Sequence, residues 1–337
     1  MSGLVIDVSI ANANTGASTL NVDGLGAKPI YGLALQPLQG GELVAKGVAC
    51  FLYIVASTVN AGNGAWILME CAGGAQQVAT ASQSQHAVQF GQLTGGIGSR
   101  TNLKATCAAN ATTITFTADQ LVVGTALNGL QYLLANYNQT LNLAVTGAGG
   151  MDTGTATAGG WLAVYAIYNP ATNTRSIIGT MDGSSAAPTV YGGSNPASGY
   201  TASELLAVIP VSSTAGQLKA CLVNGRRVSV PSLLTFQTST TSPTPVSFSL
   251  SGAVPKAAVR ASGIIAVAST STSNVGMSIQ SDSTTNALGV QNVSQSGGSS
   301  GTGAWSIDLA TAQTLYYAAT SSAGTPTFSL YVSGYEV

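Results

Sequence analysis

"GLQYLLANYNQTLNLAVTGAGGMDTGTATAGGWLAVYAIYNP", residues 129–170, decides the fold: short apolar and aromatic runs alternate with glycine, asparagine and threonine, and Asp152 is its only charged residue. In "TLNLAVT" Leu141, Leu143 and Val145 alternate with Thr140, Asn142 and Ala144, giving the one apolar and one polar face of a half-buried strand. "GWLAVYAIYN" is different. Leu162, Val164, Ala166 and Tyr168 lie on one face and Trp161, Ala163, Tyr165 and Ile167 on the other, so both faces need cover. That pattern predicts a sandwich strand whose outer face packs on neighbouring subunits.

Outward from this stretch, strand-like runs recur between Gly, Asn, Ser and Pro clusters, the spacing of all-β folds. "LVIDVSI" (4–10) alternates as a strand, Asp23-Gly24 supplies a tight turn, and "GVACFLYIVAS" pairs with "GAWILMEC" across "TVNAGNG". Residues 76–93, "QQVATASQSQHAVQFGQL", are the helical candidate, rich in Gln and Ala. Their sparse apolar positions, Val78, Ala81 and Val88, need partners, and three copies around an axis would bury them. Strands resume at 111, and "FQTSTTSPTPVSF" (236–248) reads as a linker. The expected organisation is a β module over 1–75, a helical and glycine-rich connector over 76–110, a central β-sandwich-like domain over 111–240 and a distal β-sandwich over 241–337. In the last strand, Phe328, Leu330 and Val332 alternate with Ser329, Tyr331, Ser333 and Tyr335, which predicts an exposed tyrosine and serine face.

Ten Lys+Arg, eleven Asp+Glu and one His leave 6% charged residues and a net charge of −1, against roughly 25% charged in ordinary domains. Hydroxyls and amides must therefore hydrate the surface, which suits a rigid assembled particle component better than a freely diffusing enzyme. Nucleic acid needs clustered cations; the densest cluster is Arg226-Arg227 after "VNG", which a hairpin flank explains. "VACFLYIVA" (48–56) and "AWILM" (65–69) are too short to span a membrane, and no signal-peptide pattern opens the chain. Cys50, Cys71, Cys107 and Cys221 fit no metal spacing; Cys50 and Cys71 could meet across a hairpin, and small buried thiols are the plainer reading.

The residues carry little chemistry. A triad would have to use His86, which sits in the glutamine-rich connector and reads as a polar seam residue or, ringed in a trimer, an ion site. No two of the acids form a close sequence pair for glycoside cleavage, although Asp282 and Asp308 could meet across strands. "GAGG" (147–150), "GGSN" (192–195) and "SGGSSGTG" (296–303) lack the strand-to-helix setting of a phosphate loop and read as loops. The expectation is therefore a non-enzymatic chain with neither cofactor nor metal.

Three stretches resemble the tail fibre proteins of tailed bacteriophages: "ANANTGASTLNVDGLGAKPI" (11–30), "ATASQSQHAVQFGQ" (79–92), and "GLQYLLANYNQTLNLAVTGAGGMDTG" (129–154) with "LAVYAIYNP" (162–170), followed by "APTVYGGSNPASGYTASELLAVIP" (187–210). The resemblance spans most of residues 11–210 and implies an elongated, β-rich homotrimeric fibre. Such a fibre is assembled in the bacterial cytoplasm and carried on the virion, and it attaches the virion through its distal end to a host surface glycan or protein. It would join the baseplate through an N-terminal region missing here. Receptor contacts are expected at Tyr316, Tyr317, Tyr331 and Tyr335, with Arg260 for an anionic sugar. The alternatives are a polysaccharide-degrading or deacetylating tail protein and a purely structural spacer.

Overall fold

The computed structural model describes every residue except 1, 25, 80–85, 88–94, 128 and 285. The chain divides into two compact units, Met1–Leu93 and Thr94–Val337. Among the described residues the regular structure is almost wholly β, and no helix is long and apolar enough to cross a membrane.

In the first unit β1 (Val5–Ser9), β2 (Ser18–Leu20), β3 (Lys28–Tyr31), β4 (Val48–Ile54) and β5 (Ala65–Cys71) form one sheet in the order β1-β4-β5-β3-β2. The β4–β5 antiparallel pair is as expected, and Asp23 and Gly24 do take positive φ, 47° and 74°. Ile30, Phe51, Trp66 and Leu68 fill one face. Beside them Glu42 is buried and fully engaged: Oε1 accepts the Gln39 N–H at 2.7 Å, and Oε2 accepts the Gly40 N–H at 2.7 Å and Asn14 Nδ2 at 2.9 Å. Burial pushes its pKa up, but these hydrogen bonds outweigh burial and hold Glu42 below the ordinary carboxylate value. Asn14 Oδ1 also accepts the Leu43 N–H at 2.8 Å, so the "ANAN" stretch is tied to the loop before β4. Most of the helix expected over 76–93 lies outside the described residues. Residues 74–79 carry no regular structure, and Gln76 and Gln77 donate to the carbonyls of Met69 and Pro37, each at 3.1 Å.

The second unit holds β6 (Arg100–Thr101), β7 (Lys104–Cys107), β8 (Thr113–Gly124), β9 (Gln131–Asn142), β10 (Trp161–Asn169), β11 (Thr174–Met181) and β12 (Ala202–Pro210). These are followed by β13 (Cys221–Asn224), β14 (Arg227–Thr238), β15 (Ser242–Ser249), β16 (Arg260–Gln280), β17 (Gln291–Asp308), β18 (Thr314–Ser321) and β19 (Pro326–Glu336). Hydrogen bonds link them in the order β11-β10-β12-β8-β7-β13-β14-β19-β16-β18-β15, with β6 and β9 also on β8, and β17 on β16. Residues 236–248 are therefore not a linker: they run from the end of β14 into β15. The boundary expected at 240/241 falls between these two strands, while β14 itself pairs with the C-terminal β19. "SGGSSGTG" is likewise strand rather than loop. It lies within β17, where the ladder to β16 breaks register between Ala268 and Ser273. The Arg226-Arg227 pair does flank a hairpin, for Asn224 faces Arg227 across a two-residue loop whose Gly225 has φ 61°.

Both faces of β10 are buried, as its sequence requires: Leu162, Val164 and Ala166 lie in the main core, and Ala163, Tyr165 and Ile167 in a second cluster. The cover on the second face comes from the chain itself and not from a neighbouring subunit. Ala187, Tyr191, Ala197 and Tyr200 lie over it, Tyr165 donates its hydroxyl to the Pro188 carbonyl at 2.9 Å, and the Tyr191 ring stands edge-on at 5.5 Å. Val145 departs from its predicted face. Leu141 and Leu143 are buried, but β9 ends at Asn142 and Val145 is 46% exposed.

Among the described residues, the main core encloses one ion pair. Glu204, whose side chain is 0% exposed, shares the face of Ala202 and Leu206, and Arg100 of β6 reaches its Oε1 at 3.0 Å. A bulge at Leu206 in the β10–β12 ladder frees two carbonyls, and Arg100 donates to Leu206 O at 2.9 Å and Leu205 O at 3.0 Å. Its N–H groups are thus aimed at the backbone, and neither carboxylate oxygen of Glu204 has a hydrogen-bond partner. Burial pushes the Glu204 pKa up to about 7, only partly offset by Arg100 and Arg226. Folding therefore binds a proton between the ordinary value, 4.5, and about 7. This contribution is fully present below pH 4.5 and is lost as pH rises to about 7. Thermal melts of the second unit should show a loss of about 3 kcal/mol over that range, and Glu204→Gln should flatten the slope. Arg100→Ala should cost about 3–5 kcal/mol at pH 8, where it strands a buried charge, and markedly less at pH 4.

Candidate functional site

The site begins with a break in register. On β19 Gly334 faces Ser262 of β16 and Val332 faces the next residue, Gly263, so Ser333 is an extra residue with no partner. On the other side of β19, Gly334 faces Ser229 of β14 while Val332 faces Leu233, which leaves Val230, Pro231 and Ser232 outside the ladder. Proline has no N–H to give a ladder, and a bulge is where a strand tolerates it. Gly263 belongs to the same device. A Cβ there would collide with the Tyr331 carbonyl oxygen, which already accepts the Trp305 indole N–H at 3.1 Å.

One extra residue reverses every side chain beyond it. Phe328, Leu330 and Val332 face the core as expected, but past Ser333 it is Tyr335 that turns inward, 1% exposed, and its hydroxyl donates to the Val208 carbonyl at 2.7 Å. Burial drives its phenol pKa far above the ordinary value. Tyr335 is therefore not an exposed contact residue. Its ring instead stands perpendicular to Trp161 at 5.6 Å and fixes the orientation of that indole from below.

Trp161 floors a groove of about 370 Å³, within the size range of small-molecule sites. Pro210, Pro231 and Leu233 add apolar lining. Ser213 and Ser232 bring hydroxyls to the lining, and Asn110 and Lys219 add an amide and an ammonium, whereas the buried Ser212 hydroxyl is engaged with the Thr214 backbone, donating to its carbonyl and accepting its N–H, each at 3.0 Å. Asn110 is fixed by a positive φ of 61° and by its backbone N–H on Leu218 O at 2.9 Å, and the Lys219 N–H bonds Pro210 O at 3.0 Å. No Asp or Glu lines the groove. An indole face carries negative charge at its centre and attracts the C–H bonds of a pyranose ring, while hydroxyl and amide groups exchange hydrogen bonds with sugar hydroxyls. The groove is thus suited to holding a saccharide, with Lys219 favouring an acidic one, and holds no carboxylate pair to cleave it.

The other sequence-predicted residues are scattered. Tyr317 is buried 4.8 Å from Phe236 and 6.1 Å from Phe248, in an aromatic cluster inside the main core. Tyr316 is half-exposed on β18, opposite Ser247 and Gln280. Tyr331 is half-buried in a cross-strand row with Leu234 and Ile264, both exposed. Arg260 is exposed beside a 560 Å³ hollow lined by Ser281, Gln291 and Ser306, but its Nε is 2.6 Å from Asp308 and its Nη1 3.6 Å from Glu336, so two carboxylates neutralise it. Asp282 and Asp308 have separate partners, Gln280 and Thr284 for the first and Arg260 for the second. Asn110, Lys219 and Pro231 escaped sequence reasoning. Pro231 inside the apolar run "VSVPSLL" was the one signal that could have marked the bulge.

A scan against protein-family models finds no match to this sequence, and a search of curated proteins finds none either.

Two outcomes test the geometry. Gly263→Ala should destabilise the second unit by about 1–3 kcal/mol in denaturant melts, because the added methyl must push β19 away. Trp66 and Trp305 are 2% and 3% exposed, whereas Trp161 is only partly covered. Acrylamide should therefore quench a single tryptophan population, and Trp161→Ala should remove it while leaving the circular dichroism spectrum unchanged.

Proposed function

We propose that the chain is a tailed-phage fibre protein that attaches the virion to a host surface glycan, acting as an elongated homotrimer with the Trp161 groove as its saccharide contact. The observation that carries the saccharide contact is the groove itself: an oriented indole flanked by hydroxyls, an amide and an ammonium, without a carboxylate in its lining. The fibre assignment is supported by the stretches at 11–30, 79–92, 129–154, 162–170 and 187–210, and by a sequence with only 6% charged residues. A single shallow groove binds weakly. Three copies on one fibre, and several fibres on one particle, raise effective affinity by orders of magnitude without any new contact.

The reading favours binding over cleavage, since glycoside hydrolysis needs two carboxyl groups flanking the bond and the groove lining offers none. The test uses the full chain on beads with polysaccharides extracted from a panel of Gram-negative strains, its assembly mass measured by light scattering. Retention of intact polysaccharide by a trimer, lost in Trp161→Ala, is the expected result. Retention by no strain, unchanged retention by the variant, or release of shortened chains would contradict the proposal.

A further inference from the structure

The cysteines that the sequence could bring together are not the ones the fold pairs. Cys50 faces Glu70 and Asp7, and Cys71 faces Ala49, so those two thiols are not opposite one another. Cys107 and Cys221 are direct partners in the antiparallel β7–β13 pair, 5% and 6% exposed. Directly opposed residues in such a pair have Cα atoms about 4.5–5.5 Å apart, inside the roughly 4.4–6.8 Å that a disulfide spans. Both are thiols in the structure. The Cys107 S–H donates to the Ala108 carbonyl at 3.2 Å. The facing Cys221 thiol holds Cys107 below the ordinary thiol pKa, while Cys107 and burial push Cys221 above it, so Cys107 ionises first.

We propose that Cys107 and Cys221 are a redox pair that closes into a cross-strand disulfide when the protein meets an oxidising small-molecule disulfide. The Cys107 thiolate attacks one sulfur of that molecule and expels one thiolate. The Cys221 thiolate then attacks the mixed disulfide at Cys107 and expels the second. Two protein thiols lose two protons and two electrons, and one external disulfide becomes two thiols. The placement gives the bond a purpose beyond general stability. Ala109 and Asn110 lie two and three residues after Cys107, and Lys219 and Ala220 directly precede Cys221, so the cystine clamps two chain segments that line the Trp161 groove.

The test incubates the folded full chain with oxidised glutathione a few degrees below its melting temperature, so that buried strands open transiently. The sample is then alkylated without reductant, digested and mass-mapped. The expected product is one cross-linked peptide joining Cys107 to Cys221, lighter by two hydrogens than the reduced pair, with Cys50 and Cys71 not cross-linked to each other. The melting temperature of the oxidised second unit should rise by roughly 5–15 °C, and dithiothreitol should reverse the shift. Cys221→Ala should lose both the cross-link and the shift. Full alkylation of Cys107 and Cys221 after this treatment, or cross-links to Cys50 or Cys71 in their place, would overturn the proposal, as would a cross-link that leaves the melting temperature unmoved.

Discussion

A single unpaired residue, Ser333, organises the second unit around the candidate site. By adding one residue to β19 it turns Tyr335 from the outer face into the core, where its hydroxyl is held by Val208 and its ring supports Trp161. The same register break pushes Val230, Pro231 and Ser232 out of the β14 ladder, and these residues line the groove. Gly263 makes the break possible, because only a residue without Cβ lets β16 lie against the Tyr331 carbonyl. A bulge thus does in β geometry what a loop does elsewhere: it re-aims side chains while the flanking ladder stays rigid.

Scarcity of charge gives the few buried charges unusual weight. Glu42 is hydrogen-bonded on both oxygens and stays acidic, whereas Glu204 lies beside Arg100 without an aligned hydrogen bond and becomes a weak acid. The contrast comes from where donors point. Around Glu42 a tight loop aims backbone N–H groups at the carboxylate; around Glu204 the guanidinium spends its donors on carbonyls freed by the bulge at Leu206. Glu42 fastens the loop before β4, and Glu204 holds β6, whose own ladder to β8 is only two residues long.

Local patterning made much of the fold legible. The β4–β5 pairing, the two buried faces of β10 and the turn at Asp23-Gly24 followed from alternation and turn chemistry. What failed was long-range. Glycine and serine at 296–303 look like loop, yet they sit in an eighteen-residue strand that pairs with β16 on both sides of a register break. The tyrosines were assigned to an exposed face by strict alternation, and alternation holds only until the register slips: Tyr335 lies two residues beyond the slip. Tyr317 is buried because Phe236 and Phe248, distant in sequence, close over it. The groove could not be read at all, since its residues come from six separate segments between Ala109 and Ala253.

In the proposed function a saccharide sits on the indole positioned by this register break. Fluorine NMR on a chain labelled with fluorotryptophan tests it directly, because the three tryptophans occupy distinct surroundings: Trp66 and Trp305 buried, Trp161 in the groove. On titration with oligosaccharides from a polysaccharide that the chain retains, the account predicts that the Trp161 resonance shifts and saturates while the other two stay fixed. Saturable binding with an unmoved Trp161 resonance would place the saccharide elsewhere and contradict the account.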